Sequence, residues 1–177
     1  MPGIRIIGSI YHITTNIYGR LPIFDSPNMI IALYDSLNYY RYRHTFKLLG
    51  FVVMPDHLHL LIWPEGKSSI SAIMRDFKKY TAVRLIRQAK VEHKQDWLTA
   101  FRDAGEKTGR STNKIWQDSY WDTIVYSQKM LREKLNYIHR NPVRAGLVKE
   151  VGHYPYSSYR NYVNNDHSMI LVDTDWL

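Results

Sequence analysis

The stretch "FVVMPDHLHLLIWP", residues 51–64, decides the fold. Pro55-Asp56 is a turn signal between two apolar runs, "TFKLLGFVVM" (45–54) and "HLHLLIW" (57–63). Two such runs joined so tightly read as an antiparallel hairpin. Side chains alternate along a strand, so Leu58, Leu60 and Ile62 share one face. His57 and His59 share the other, with Cβ atoms roughly 7 Å apart or less. Two imidazoles so placed can reach one metal ion. The plain alternative is a pair of surface or hydrogen-bonded histidines, since H-x-H also arises by chance.

Outward from the hairpin, residues 4–17, "IRIIGSIYHITTNI", read as a first strand rich in β-branched residues. Residues 28–43 carry Ile30, Leu33, Tyr34, Leu37 and Tyr40 at helical spacing. After Pro64 and Gly66, Ser69 or Ser71 is positioned to cap a long helix over about 70–92. Residues 93–113 are polar, contain Gly105 and Gly109, and read as a loop. Residues 114–126 read as a fourth strand. Residues 127–141 read as a helix capped by Ser127 and ended by Pro142. "YPYSSYRNYV" near the C-terminus reads as one short helix. The order β-α-β-β-α-β-α gives an α+β chain of the ferredoxin-like, RRM-like split βαβ type, with an antiparallel sheet, helices on one face and a tyrosine-bearing helix on the open face. The expected organisation is a single domain over 1–177, with a core at about 4–141 and a C-terminal extension at 142–177.

Composition narrows the function classes. The 177 residues are 45% hydrophobic and 23% charged, a globular balance. No cysteine is present, which excludes disulfides, thiolate metal sites and cysteine nucleophiles, and fits a reducing cytoplasm. No apolar run approaches the roughly 20 residues of a membrane-spanning helix. The expectation is a cytoplasmic protein with no membrane partner. A net charge of +8 is the footprint of a nucleic-acid binder, although a merely basic protein would share it.

Two histidines leave a divalent ion under-coordinated. In "NYIHRNP" (136–142), Tyr137 and Asn141 lie four apart and so share one helix face. Asn141 offers an amide oxygen suited to magnesium or manganese. Tyr137 offers a phenol, which can attack phosphorus beside a metal. Ordinary packing of Tyr137 and a helix C-terminal role for Asn141 are the competing readings.

These motifs resemble a known family. "FVVMPDHLHLLIWP" is similar to the His-hydrophobic-His motif of the IS200-like tyrosine transposases. "IWQDSYWDTIV" (115–125), "LNYIHRNPVRAGLV" (135–148) and "YPYSSYRNY" (154–162) resemble its branch associated with repetitive extragenic palindromes (REP). The resemblance runs from residue 11 to about 163. It implies that His57, His59 and Asn141 are metal ligands, with Mg2+ or Mn2+ as cofactor, and that Tyr137 is the nucleophile. It implies a single-stranded DNA endonuclease and strand transferase acting beside DNA hairpins through a 5′-phosphotyrosine intermediate. Monomer or homodimer both occur among such proteins. In many relatives an arginine stands where this chain has Ser119, and residues 93–113 look long for the family.

Basic residues cluster near the motifs. Arg75, Lys78, Lys79 and Arg84 on one predicted helix, with Arg132, Arg140 and Arg144 on another, are candidate DNA contacts. Tyr11, Tyr120, Trp121 and Tyr126 are candidates for stacking on bases. A solvated helix face, or a core position for the aromatics, is the bland alternative. Two other classes compete: a non-catalytic, domesticated hairpin-DNA binder on the same fold, and a rolling-circle initiator or relaxase. The intact quartet of His57, His59, Tyr137 and Asn141 argues against the first. The short chain argues against the second.

Overall fold

A computed structural model describes residues 9–109 and 111–176. The elements run β1 (Ile10–Asn16), α1 (Pro27–His44), β2 (Phe46–Met54), β3 (His57–Pro64), α2 (Ile70–Val91), α3 (Gln95–Thr108), β4 (Trp121–Val125), α4 (Gln128–Arg144) and α5 (Tyr159–Val163). The sheet order is β2-β3-β1-β4 and every neighbouring pair is antiparallel. This is the split βαβ arrangement expected from the hairpin at 51–64.

The alternation in β3 sorts two cores. Leu58, Leu60 and Ile62 join Ile13, Phe51, Leu33 and Phe77 under α1 and α2. On the opposite face Leu61, Leu49 and Val52 meet Leu131, Leu135 and Ile138 of α4. The sheet is therefore covered on both sides. His57 and His59 lie on the α4 side, next to a helix and not next to open solvent.

Caps follow the expected chemistry. Ser69 accepts from the Ala72 amide at 3.2 Å, and Ser127 accepts from the Met130 amide at 3.1 Å. Three expectations are corrected. Residues 95–108 are helical, not a loop: Trp97, Leu98, Phe101 and Ala104 recur at helical spacing. Two glycines mask that spacing. Gly105 lies inside the helix where it touches the next segment, and Gly109 caps the end with φ of 65°. The fourth strand is only Trp121–Val125. Ahead of it, Ile115 and Trp116 are core residues, and Lys78 donates to the carbonyls of Gln117, Asp118 and Ser119, which draws that segment toward α2. Finally, α4 does not stop before Pro142 but continues to Arg144. In the last turn the missing proline N–H deprives a single carbonyl, and Ala145 N–H and Leu147 N–H close onto Asn141 and Pro142. The part of the first strand expected at 4–8 lies outside the described residues. Among the described residues no helix is long and apolar enough to cross a membrane.

The segment after α4 lies along β2. Val53 N–H donates to Tyr156 O, Ser158 N–H to Phe51 O, and Asp173 N–H to Leu48 O. The outer edge of β2 is thereby occupied by the chain's own C-terminal part.

Candidate active site

Strand register builds the site. Asn16 pairs with His57 and Thr14 with His59 across β1 and β3. Thr14 and His59 thus stand side by side on the α4 face. The Thr14 hydroxyl hydrogen-bonds His59 Nδ1 at 2.8 Å. The Asn141 amide nitrogen donates to His59 Nε2 at 3.2 Å from across the gap. His57 Nδ1–H donates to Asp56 at 2.5 Å, and Asp56 in turn pairs with Arg20 at 2.7 Å. Arg20 also donates to Asn16 at 2.6 Å.

Both imidazoles therefore have Nδ1 fixed by an oxygen partner, which leaves the Nε2 lone pair as the outward donor. Burial keeps both neutral. Desolvation pulls His59 down to about 3, helped by His57, His12 and Arg20. Desolvation also lowers His57, against the opposing pull of Asp56. Neutral imidazole is the form that binds metal. Half a turn of the Asn141 amide would place its oxygen where the nitrogen now sits, so that His57, His59 and Asn141 would offer two nitrogens and one oxygen. Among the described residues no group of three or more His, Asp or Glu side chains is arranged to hold a metal. A metal here would rely on this mixed set plus solvent or substrate oxygens, in which the imidazoles favour manganese or zinc and the oxygens favour magnesium or manganese.

Tyr137 closes the site. Its ring lies 5.5 Å from His59 and 5.8 Å from His12, edge-on to both. The Arg144 guanidinium, two turns along α4, sits 5.3 Å over the Tyr137 ring. A cleft of about 440 Å³ opens beside it, lined by His12, Thr14, Trp121, Lys134 and Tyr137 among others. The four candidate residues are thus brought together from two elements, His57 and His59 from β3 and Tyr137 and Asn141 from α4, under the register set by β1.

Residue reading missed the partners. His12, Thr14, Asp56 and Arg20 all contact the quartet or its orienters. His12 is stacked on His59 at 5.6 Å with an 8° tilt, and burial lowers it to about 4, with Lys134 adding to the effect. A signal for two of them existed in "YHITTN": His12 and Thr14 are alternate residues of a strand and so share a face.

The basic candidates divide between the two faces of the sheet. Arg132, Arg140 and Arg144 are exposed on α4, the helix of Tyr137. Arg75, Lys78, Lys79 and Arg84 lie on α2, across the sheet. Lys78 is committed to three backbone carbonyls, and burial lowers its amine to about 8. Arg84 pairs with Asp35 at 3.0 Å. Of the stacking candidates, Tyr11 is buried and Tyr120 half-buried, whereas Trp121 and Tyr126 are 76% and 83% exposed.

Comparison with known proteins gives the family and the fold. Residues 6–141 match the family described as "Transposase IS200 like". A Haemophilus influenzae protein provisionally named a REP-associated tyrosine transposase is 28% identical over 152 residues, 81% of this chain and 78% of that protein. An Escherichia coli REP-associated tyrosine transposase is 29% identical over 133 residues, 74% of this chain. The chain spans 62% of that second relative's length. A solved structure of a REP-associated tyrosine transposase bound to a REP hairpin shares the fold, with a TM-score of 0.69 at 23% identity, covering 100% of this chain and 90% of that one.

Proposed function

We propose that this chain, which belongs to the IS200-like transposase family, cuts and rejoins single-stranded DNA beside a hairpin with Tyr137 as nucleophile. The observation that carries this reading is the arrangement around His59. Thr14 fixes its Nδ1, Asn141 reaches its Nε2, and the Tyr137 ring stands 5.5 Å away. Nucleophile and proposed donor set thus adjoin one another through His59.

In the cutting step the Tyr137 phenol oxygen bonds to phosphorus and the P–O3′ bond breaks. The phenol gives up its proton and the departing 3′ oxygen takes one. The product is a 5′-phosphotyrosine and a free 3′-hydroxyl, and attack by such a hydroxyl reverses the step to join strands. His57, His59 and Asn141 would hold a magnesium or manganese ion, whose charge offsets that developing on the phosphoryl oxygens. Asp56 and Thr14 keep the imidazoles in the ligating tautomer. Arg132, Arg140 and Arg144 are proposed phosphate contacts on the same helix, and Arg75, Lys79 and Arg84 outlying ones. Lys78, tied to carbonyls, would act by holding the 117–119 segment in place. A DNA hairpin is the proposed partner, by analogy with the related transposase solved bound to a REP hairpin.

The test is incubation with a labelled hairpin oligonucleotide and Mn2+. A covalent protein–DNA adduct resistant to denaturation is expected for the wild type and absent in Tyr137→Phe. His57→Ala should lose the adduct while retaining hairpin affinity. An adduct that persists in Tyr137→Phe overturns the nucleophile. Hairpin binding without any adduct in the wild type would identify a binder that does not cut.

A further inference from the structure

Trp121 opens β4 with its indole 76% exposed, although it lines the Tyr137 cleft. Its register partner is Thr14, so it lies on the α4 face of the sheet. The preceding residue points the other way. The Tyr120 hydroxyl hydrogen-bonds with Ser71 of α2 at 3.1 Å, and Tyr120 lines a second cleft of about 340 Å³ between α2 and the 111–118 segment. Two consecutive aromatic residues thus face two clefts on opposite sides of one sheet edge. Among the described residues that edge is free, because β4 pairs only with β1.

The two clefts differ in charge. Lys134 and Glu133 line the first and balance one another. Arg75, Lys79, Lys78 and Lys114 line the second. Lys114 is neutralised by Asp118 at 2.7 Å and Arg75 is partly so by Asp76 at 2.7 Å. Lys79 is exposed and makes no ion pair among the described residues. An exposed indole between the Tyr137 cleft and a cationic one suits a strand of alternating bases and phosphates. The exposed Asp122 on the same short strand works against edge pairing with another protein.

We propose that the single-stranded DNA flanking the cleaved phosphodiester leaves the Tyr137 cleft over the β4 edge, stacking a base on Trp121 and laying its next phosphates against Arg75 and Lys79. This rests on the reading of the chain as a hairpin-flank DNA enzyme. It gives the α2 cations a role that their position across the sheet would otherwise deny them, and it makes Trp121 a determinant of how flanked hairpins are told from blunt ones.

The test measures binding by fluorescence anisotropy without divalent ion, using blunt hairpins and hairpins with a single-stranded flank on either the 5′ or the 3′ side. Trp121→Ala should weaken binding of one flanked hairpin about 5- to 150-fold, with Trp121→Phe retaining most of the affinity. Blunt hairpins should bind Trp121→Ala as they bind the wild type. The double variant Arg75→Ala/Lys79→Ala should lower the salt slope for the flanked hairpin by about 1.4. Equal affinity of Trp121→Ala and wild type for every flanked hairpin overturns the proposal, as does an equal loss on blunt hairpins. A dimeric wild type made monomeric by Trp121→Ala with unchanged DNA affinity would also overturn it, by identifying a protein interface. Flank-specific loss in a chain that forms no adduct would uphold the strand path while refuting strand transfer.

Discussion

At the scale of single residues, the site depends on two oxygens that brace its histidines. Thr14 and Asp56 engage His59 and His57 at Nδ1 and so leave Nε2 of each as the nitrogen available to a metal. Loss of such orienting partners commonly costs about 10- to 100-fold in metal affinity. Thr14→Val and Asp56→Asn are each expected to weaken Mn2+ binding by that factor, read by isothermal titration, while leaving the fold intact. Unchanged Mn2+ affinity in both would show that the imidazoles do not depend on these partners. Asp56 is legible in the turn that begins the histidine strand. Its role is not legible, because Arg20, which braces it, lies far back in the chain and arrives only through folding.

At the scale of elements, α4 carries Tyr137 and Asn141, and its start is set by Ser127. Ser127→Ala should cost about 1 kcal/mol of stability in urea unfolding. A cap that contributes nothing would leave the midpoint in place. α3 is fastened to the segment leading into β4 by close backbone approach. A Cβ at Gly105 would stand 2.5 Å from the Ser111 carbonyl oxygen and 2.6 Å from that of Thr112. Backbone cannot yield as a side chain can, so Gly105→Ala should destabilise by about 1–3 kcal/mol. Wild-type stability in that variant would refute the contact. The same glycine hid α3 from a reading of the sequence. It breaks the helical composition at the one place where the helix needs no side chain, and the apolar spacing of Trp97, Leu98, Phe101 and Ala104 is overlooked beside it.

At the scale of the whole molecule, the C-terminal part binds the sheet edge through half-buried phenols. Tyr154 donates to Val53 O at 2.6 Å, and Tyr162 donates to Leu49 O at 2.5 Å. Burial pushes both phenols, and that of Tyr34, well above their ordinary value. Unfolded phenols ionise near pH 10 and the folded ones resist. The folded state then holds more protons, so this stability is fully present below about pH 10 and is lost as pH rises further. The urea midpoint should fall from about pH 9 to about pH 11, and less steeply in Tyr154→Phe/Tyr162→Phe. Equal slopes would place the alkaline loss elsewhere. The net charge of +8 acts at the same scale: hairpin affinity should fall steeply with salt, and a flat salt dependence would argue against phosphate contacts. The sequence by itself determined the hairpin, the order of strands and the facing of both histidines, because alternation and turn chemistry are local. It also brought Tyr137 and Asn141 to one helix face, because helical period is local too. A tyrosine-bearing helix is expected on the histidine face, and α4 does cover it; only the tertiary structure decided that β1 supplies Thr14 and His12 and that the α2 cations lie across the sheet. Those outcomes depend on strand register and on which face each helix crosses, and contacts between residues such as Thr14 and His59, 45 positions apart, leave no periodic trace in the chain.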